Sequence, residues 1–191
     1  IVDNGADIEK IAADLAGAKQ FNGGQACISP DYVFIKEDQK TRLVEGFKAT
    51  VAQNLYDENG QIKKDSIAQI VNEANFNRVK ALFDDAVAQG ATVAVGGQMD
   101  ATDLTIHPTL LTDVTPQMKI LQDEIFGPVL CIVRVPDMAA AIELINAHEF
   151  GNGVALFTSD GGTAREFSRR IEVGMVGVNV PLPVPMAFHS F

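Results

Sequence analysis

The sequence has 191 residues, 47% of them hydrophobic, and its 25 acidic against 15 basic side chains give a formal net charge of −10. Such an acidic surface repels phosphate backbones and anionic lipid headgroups, so we expect neither nucleic acid nor a membrane as a partner. Its apolar runs are all shorter than the roughly 20 residues that a membrane-spanning helix needs.

Along the chain, short β-branched runs alternate with amphipathic helical stretches. Near-continuous apolar strands separated by helices are typical of a parallel sheet that is buried on both sides. The pattern therefore predicts one α/β domain, residues 1–191, with a mostly parallel sheet covered by helices on both faces. Helices are predicted over 6–21, 39–55, 72–90, 137–148 and 162–171, and strands over 31–35, 91–97, 109–112, 127–135, 153–159 and 174–180.

The details of three helices follow from the same pattern. Asp7 and Asp137 stand where an N-cap is expected, directly before the first apolar positions of their helices. In the helix over 72–90, we expect Phe76, Val79, Phe83 and Val87 to point inward.

The chain has only two cysteines, too few for a disulfide framework, which favours a reducing compartment and a cytoplasmic protein. Cys131 lies within the apolar run "PVLCIVRV" and is predicted to be a buried, inert thiol.

Cys27 follows a predicted helix and the pair Gly23-Gly24. Glycines at that point allow a sharp turn and the close approach of another molecule, because they have no Cβ. The residues alone leave two interpretations of Cys27 open, a reactive thiol and a small apolar side chain at a tight turn.

Two segments carry a resemblance to a known family. "FNGGQAC" (21–27) resembles the nucleophile segment of the aldehyde dehydrogenases, and "DEIFGPVL" (123–130) resembles their E-x-F-G-P segment. The stretches over 1–12, 151–160 and 174–180 are similar to neighbouring parts of the same superfamily, so the resemblance covers essentially the whole chain. It implies the catalytic domain of an NAD(P)-dependent aldehyde dehydrogenase.

The resemblance also implies roles for individual residues. The sulfur of Cys27 would attack the aldehyde carbon to give a thiohemiacetal, which would pass a hydride to NAD or NADP and become a thioester. Glu124 would accept hydrogen bonds from the nicotinamide ribose, and Phe126 would pack near the nicotinamide. Because the two residues are two positions apart, they would face the same way on an extended segment. On the residues alone, a surface carboxylate and a core aromatic are the simpler interpretation.

Several expectations concern the protein as a whole. Because the chain starts at Ile1 and its last residues before Phe191 are still apolar, we expect a piece of a longer polypeptide. The resemblance implies that the cofactor-binding domain lies outside this piece. We expect such a piece to be inactive alone and the full-length protein to form a homo-oligomer.

"GQACISPDYVFI" resembles coniferyl-aldehyde-type enzymes, whereas "GMVGVNVPLPVPMAFHSF" resembles methylmalonate-semialdehyde enzymes, which transfer the acyl group to coenzyme A. Three alternatives to an NAD(P)-dependent aldehyde dehydrogenase domain stay open: a coenzyme A-acylating enzyme, a thiol esterase and a non-catalytic assembly module.

The three histidines, His107, His148 and His189, lack the spacing of metal ligands, so no metal site is predicted.

Overall fold

The computed structural model describes residues 1–63 and 66–184. Helix formation follows the predicted signals, as the first helix illustrates. Asp7 accepts a hydrogen bond from the backbone N–H of Lys10 at 3.1 Å, which satisfies a donor that the helix itself cannot. Asp137 caps its helix in the same way. The helices are α1 (Ile8–Gln20), α2 (Lys40–Leu55), α3 (Glu73–Ala88), α4 (Met138–Asn146) and α5 (Gly161–Arg170).

The strands are short and largely apolar, as predicted. They are β1 (Tyr32–Ile35), β2 (Thr92–Val95), β3 (Met99–Asp100), β4 (Thr105–Ile106), β5 (Thr109–Thr112), β6 (Val129–Arg134), β7 (Gly153–Leu156) and β8 (Met175–Val178). The main sheet has the order β1-β6-β5-β2, in which β6 pairs in parallel with both β1 and β5. The predicted α/β fold with a mostly parallel sheet is confirmed.

The edge strand β2 departs from the parallel arrangement, since it pairs antiparallel with β5. The connection between these two strands carries the antiparallel hairpin β3–β4 and no helix. Without a crossover over the face of the sheet, the chain can return only in the opposite direction, and it does so here.

Residues 1–3 lie between the main sheet and the parallel pair β7–β8. The N–H of Val2 donates to the carbonyl oxygen of Phe34 at 3.0 Å, and the N–H of Phe157 donates to that of Ile1 at 2.9 Å. This short segment therefore joins β1 to the chain that continues β7.

The core has two parts, one on each face of the main sheet, because successive side chains of a strand point to opposite faces. On one face, Val129, Cys131 and Val133 of β6 share a cluster with the buried side chains of α3, α4 and α5. On the other, Leu130 and Ile132 pack with α1 and α2. Helices thus cover both faces.

Cys131 is fully buried, as predicted, and this burial raises the pKa of its thiol. The described part of the chain contains no helix that is both long and apolar enough to cross a lipid bilayer.

The inward face of α3 differs in part from the prediction. Phe76 and Val79 are buried, but Leu82 and Ala86 continue the stripe, while Phe83 is half-buried and Val87 is 39% exposed. Each residue turns the helix by about 100°, so Val87 lies well away from the stripe on which Ala86 is buried. The prediction for Val87 was wrong.

Phe47 of α2 has no exposed surface and packs within the second core cluster. In the protein that carries this chain, we expect Phe47→Ala to lower the free energy of unfolding by about 3–5 kcal/mol, because it removes buried apolar surface and leaves a cavity. Urea denaturation measures the change. The matched control is Val87→Ala on exposed helix surface, expected to change stability by less than about 0.5 kcal/mol. Equal losses for the two variants would contradict this division of core and surface.

Candidate active site

A cavity of about 290 Å³ opens where three connections meet: the loop between α1 and β1, the segment before β6, and the loop between α4 and β7. Its wall includes Cys27 from the first, Glu124 and Phe126 from the second, and Asn152 from the third. The structure therefore brings all three residues predicted from the sequence to one cavity, although about a hundred residues of chain separate Cys27 from the other two. Pro181 and Pro183 lie in the same wall.

The loop that carries Cys27 begins with a tight turn, Phe21–Gly24. Three successive residues there, Asn22, Gly23 and Gly24, have positive φ angles of 50°, 61° and 70°. A Cβ on Gly24 would lie 2.2 Å from the carbonyl oxygen of Gly127. Gly24 is required because the chain's own backbone approaches it closely. The close approach of another molecule to the Gly23-Gly24 pair, which the sequence allows, stays a prediction.

Cys27 itself is exposed, in contrast to Cys131. The amide nitrogen of the Asn152 side chain donates to the carbonyl oxygen of Cys27 at 2.7 Å. On the other side of the loop, the Gln25 side chain accepts from the N–H of Val71 at 2.9 Å and donates to the carbonyl oxygen of Gln69 at 3.0 Å. The thiol thus stands free on a loop that hydrogen bonds fix from both sides. Neither Asn152 nor the tethering role of Gln25 was predicted from the sequence.

Glu124 and Phe126 lie on either side of Ile125, which is fully buried in the first core cluster. Glu124 is exposed and Phe126 is half-buried. Their common orientation agrees with the predicted alternation, but the segment is not extended throughout, because Phe126 has a φ of 46°. A non-glycine residue in this left-handed region costs about 1–2 kcal/mol, so the surrounding contacts must hold it.

Arg78 of α3 supplies some of those contacts. Its guanidinium donates to the carbonyl oxygens of Glu124 at 2.9 Å and of Ile125 at 2.7 Å. The planar group can reach two adjacent carbonyls at once, which fixes the orientation of the peptide that joins Glu124 to Ile125. Arg78 was not predicted as a site residue, since nothing in its local sequence separates it from an ordinary surface arginine.

One side of the cavity is aromatic and includes Tyr32, His148 and Phe150. The backbone N–H of Phe150 can only donate, and it lies 3.0 Å from Nδ1 of His148, so Nδ1 accepts and Nε2 donates to the carbonyl oxygen of Leu121 at 2.7 Å. Burial, with a smaller contribution from the Asp31 carboxylate, raises the pKa of Tyr32 to about 12, which keeps its hydroxyl protonated.

The remaining histidines take other positions. Nδ1 of His107 lies 3.1 Å from the Tyr56 hydroxyl, and burial lowers the pKa of its ring. His189 falls outside the described residues. Within 1–63 and 66–184, the structure contains no group of three His, Cys, Asp or Glu side chains that could hold a metal ion.

Known proteins resemble this chain over its entire length. Residues 1–191 match the aldehyde dehydrogenase family. A malonate-semialdehyde dehydrogenase of Pseudomonas aeruginosa is 39% identical over 97% of this chain and 38% of its own length.

Solved structures of dehydrogenases are also similar to this chain in sequence and in fold. A protein of Sinorhizobium meliloti 1021, assigned as a methylmalonate-semialdehyde dehydrogenase and solved in complex with NAD, is 36% identical, with a TM-score of 0.89 over 100% of this chain and 40% of its own. An NADP-dependent glyceraldehyde-3-phosphate dehydrogenase of Bacillus halodurans C-125, complexed with NADP, is 33% identical, with a TM-score of 0.85 over 94% of this chain and 37% of its own. The chain spans about two-fifths of the length of these relatives. Its sequence and its fold place it in the aldehyde dehydrogenase family.

Proposed function

We propose that residues 1–191 are the nucleophile-bearing catalytic domain of an NAD(P)-dependent aldehyde dehydrogenase and that the cofactor-binding domain lies elsewhere in the full-length polypeptide. The observation that carries the proposal is the shared cavity, in whose wall an exposed cysteine stands with an exposed carboxylate and a half-buried aromatic ring. The greater length of the relatives supports a second domain.

Cys27 is the proposed nucleophile. Its thiolate would add to the aldehyde carbon, forming a C–S bond, while the carbonyl oxygen takes up the negative charge. Backbone N–H groups that point at the developing oxyanion would stabilise it without reorganising. A loop tethered through Gln25 and through the carbonyl of Cys27 suits this step, because the sulfur and the neighbouring amides keep their places as the negative charge moves from the sulfur to the aldehyde oxygen.

Glu124 and Phe126 fit the chemistry of NAD or NADP. A carboxylate accepts hydrogen bonds from ribose hydroxyls, and the Phe126 ring offers an apolar surface at the same cavity wall. When bound, the nicotinamide supplies the acceptor for the hydride that leaves the thiohemiacetal, so that an acyl thioester remains on Cys27. The protein's own contribution is to hold the ribose and the nicotinamide ring at a fixed position relative to the Cys27 sulfur.

The names of the relatives favour a semialdehyde as the substrate. Malonate semialdehyde and methylmalonate semialdehyde both combine a short chain, an aldehyde and a carboxylate, and proteins named for them align with this whole chain. We propose this substrate class here, with water or coenzyme A as the acceptor of the acyl group. Product analysis with and without added coenzyme A distinguishes the two acceptors, because only transfer yields an acyl-coenzyme A.

We further propose that the full-length protein assembles with itself and works in the cytoplasm. Val176 and Val178 of β8 are each 38% exposed, and apolar side chains on a strand support association with another surface. Both cysteines are free thiols, which fits a reducing compartment.

The first test replaces the proposed nucleophile in the full-length protein. We expect Cys27→Ala to lower aldehyde-dependent NADH or NADPH formation by on the order of a thousandfold or more, because Cys27 is the only thiol among the described residues of the cavity wall. Cys131→Ala is the control and should keep its turnover. With iodoacetamide, Cys27 should react in the native protein and Cys131 only after unfolding. Turnover that survives in Cys27→Ala would overturn the assignment and favour a non-catalytic module.

The second test concerns the carboxylate. We expect Glu124→Gln to raise the KM for the cofactor by roughly tenfold or more, because hydrogen bonds to a charged acceptor contribute about 1.5–3 kcal/mol. Initial rates at varied cofactor concentration provide the measurement. Glu45→Gln, an exposed carboxylate on α2 away from the cavity wall, is the matched control and should leave KM unchanged. An equal KM in both variants would remove Glu124 from the cofactor site.

A further inference from the structure

An ion pair between Lys19 and Asp31 lies at the wall of the cavity, which Asp31 itself lines. Lys19, in the last turn of α1, has a side chain with 0% exposure, and its Nζ donates to Oδ1 of Asp31 at 3.0 Å. The Asp31 side chain is 18% exposed. A lysine ammonium is seldom buried so completely, because it loses its hydration and depends on its partner for compensation.

The second carboxylate oxygen of Asp31 has a different partner. Oδ2 accepts a hydrogen bond from the backbone N–H of Ile125 at 2.9 Å. Ile125 is the residue between Glu124 and Phe126, so this one carboxylate joins the end of α1, which leads into the Cys27 loop, to the segment proposed to serve the cofactor. The two motifs are thus connected through a charge as well as through the Gly24–Gly127 contact.

The position of Asp31 is itself fixed by the sheet. Its carbonyl oxygen accepts from the N–H of Cys131 in β6 at 2.9 Å, and β1 starts at the next residue. Opposite this anchor, Arg78 donates to the carbonyl oxygens of Glu124 and Ile125. Around Ile125, therefore, one fixed side chain accepts from the amide and another donates to the adjacent carbonyls. Such a clamp can hold Phe126 at its positive φ.

We propose that Asp31, oriented by Lys19, is a positioning residue for the Glu124–Phe126 segment and thereby for the nicotinamide end of the cofactor. The inference rests on the proposed function of Glu124 and Phe126. Loss of the bond from Ile125 to Asp31 releases the segment, so the ribose-binding carboxylate and the ring no longer keep one arrangement. Cys27 has separate tethers through Asn152 and Gln25, so its thiol stays in place.

This separation of effects gives a test in the full-length protein. The double variant Lys19→Met/Asp31→Leu removes the ion pair and the acceptor for Ile125 without leaving a buried charge unpaired, a replacement that is often neutral for stability. We expect its Kd for NAD or NADP, measured by titration calorimetry, to rise roughly tenfold or more. We expect the rate of Cys27 alkylation by iodoacetamide without cofactor to stay within about twofold of the wild-type rate.

Lys19→Met alone is the matched variant. It keeps the Asp31 carboxylate as the acceptor for Ile125, so the Kd should rise clearly less than in the double variant. If the double variant does not fold by circular dichroism, Asp31→Asn takes its place. A neutral amide is a weaker acceptor than a carboxylate, so the Kd should then rise at least threefold with unchanged alkylation.

Two results would overturn the inference. Wild-type affinity in the folded Asp31 variants would show that the segment needs no such anchor. A parallel loss of cofactor affinity and of Cys27 reactivity would show a general structural role. The proposed function fails separately, if the wild-type protein binds neither cofactor or if Glu124→Gln leaves the Kd unchanged. An effect of Glu124→Gln without any effect of the Asp31 variants removes only the positioning role.

Discussion

The close contact between Gly24 and Gly127 is the constraint on which the candidate site depends. An ideal Cβ at Gly24 would lie 2.2 Å from the Gly127 carbonyl oxygen and 2.6 Å from its carbonyl carbon, so any side chain there would force the two backbones apart. Gly127 is limited in turn, since its own Cβ would come within 2.9 Å of the Val79 side chain. The loop that carries Cys27 and the segment that carries Glu124 can share a cavity only while these two glycines remain in contact.

Hydrogen bonds add direction to this steric contact. Gln25 and Asn152 hold the cysteine loop, while Arg78 and Asp31 hold the opposite segment. Each of these side chains bonds to backbone groups, so each fixes a stretch of chain and leaves the exposed functional groups free to meet a ligand. The chain belongs to the aldehyde dehydrogenase family, and we propose that this arrangement places the nucleophilic thiol on one wall of the cavity and the residues that hold the cofactor on the other.

The sequence was sufficient for the main elements of the fold and for the two motifs, because these signals are local. Asp7 and Asp137 cap helices that begin where predicted, and β5 has the predicted bounds. The hairpin β3–β4 was missed, since strands of two residues show no alternation, and the antiparallel direction of β2 depends on that hairpin. The tethers were also missed: Asn152 is 125 residues from Cys27 and Ile125 is 94 residues from Asp31, and no local pattern reports contacts over such separations.

The most direct measurement compares two glycine variants of the full-length protein, Gly24→Ala and Gly17→Ala. Gly17 lies within α1, and a Cβ there would meet no heavy atom within 4 Å. We expect Gly24→Ala to lower kcat/KM for aldehyde oxidation by roughly tenfold or more, because overpacking costs about 1–3 kcal/mol where the two segments touch. Gly17→Ala should leave it unchanged. Wild-type kcat/KM in Gly24→Ala would contradict the claim that this contact assembles the site.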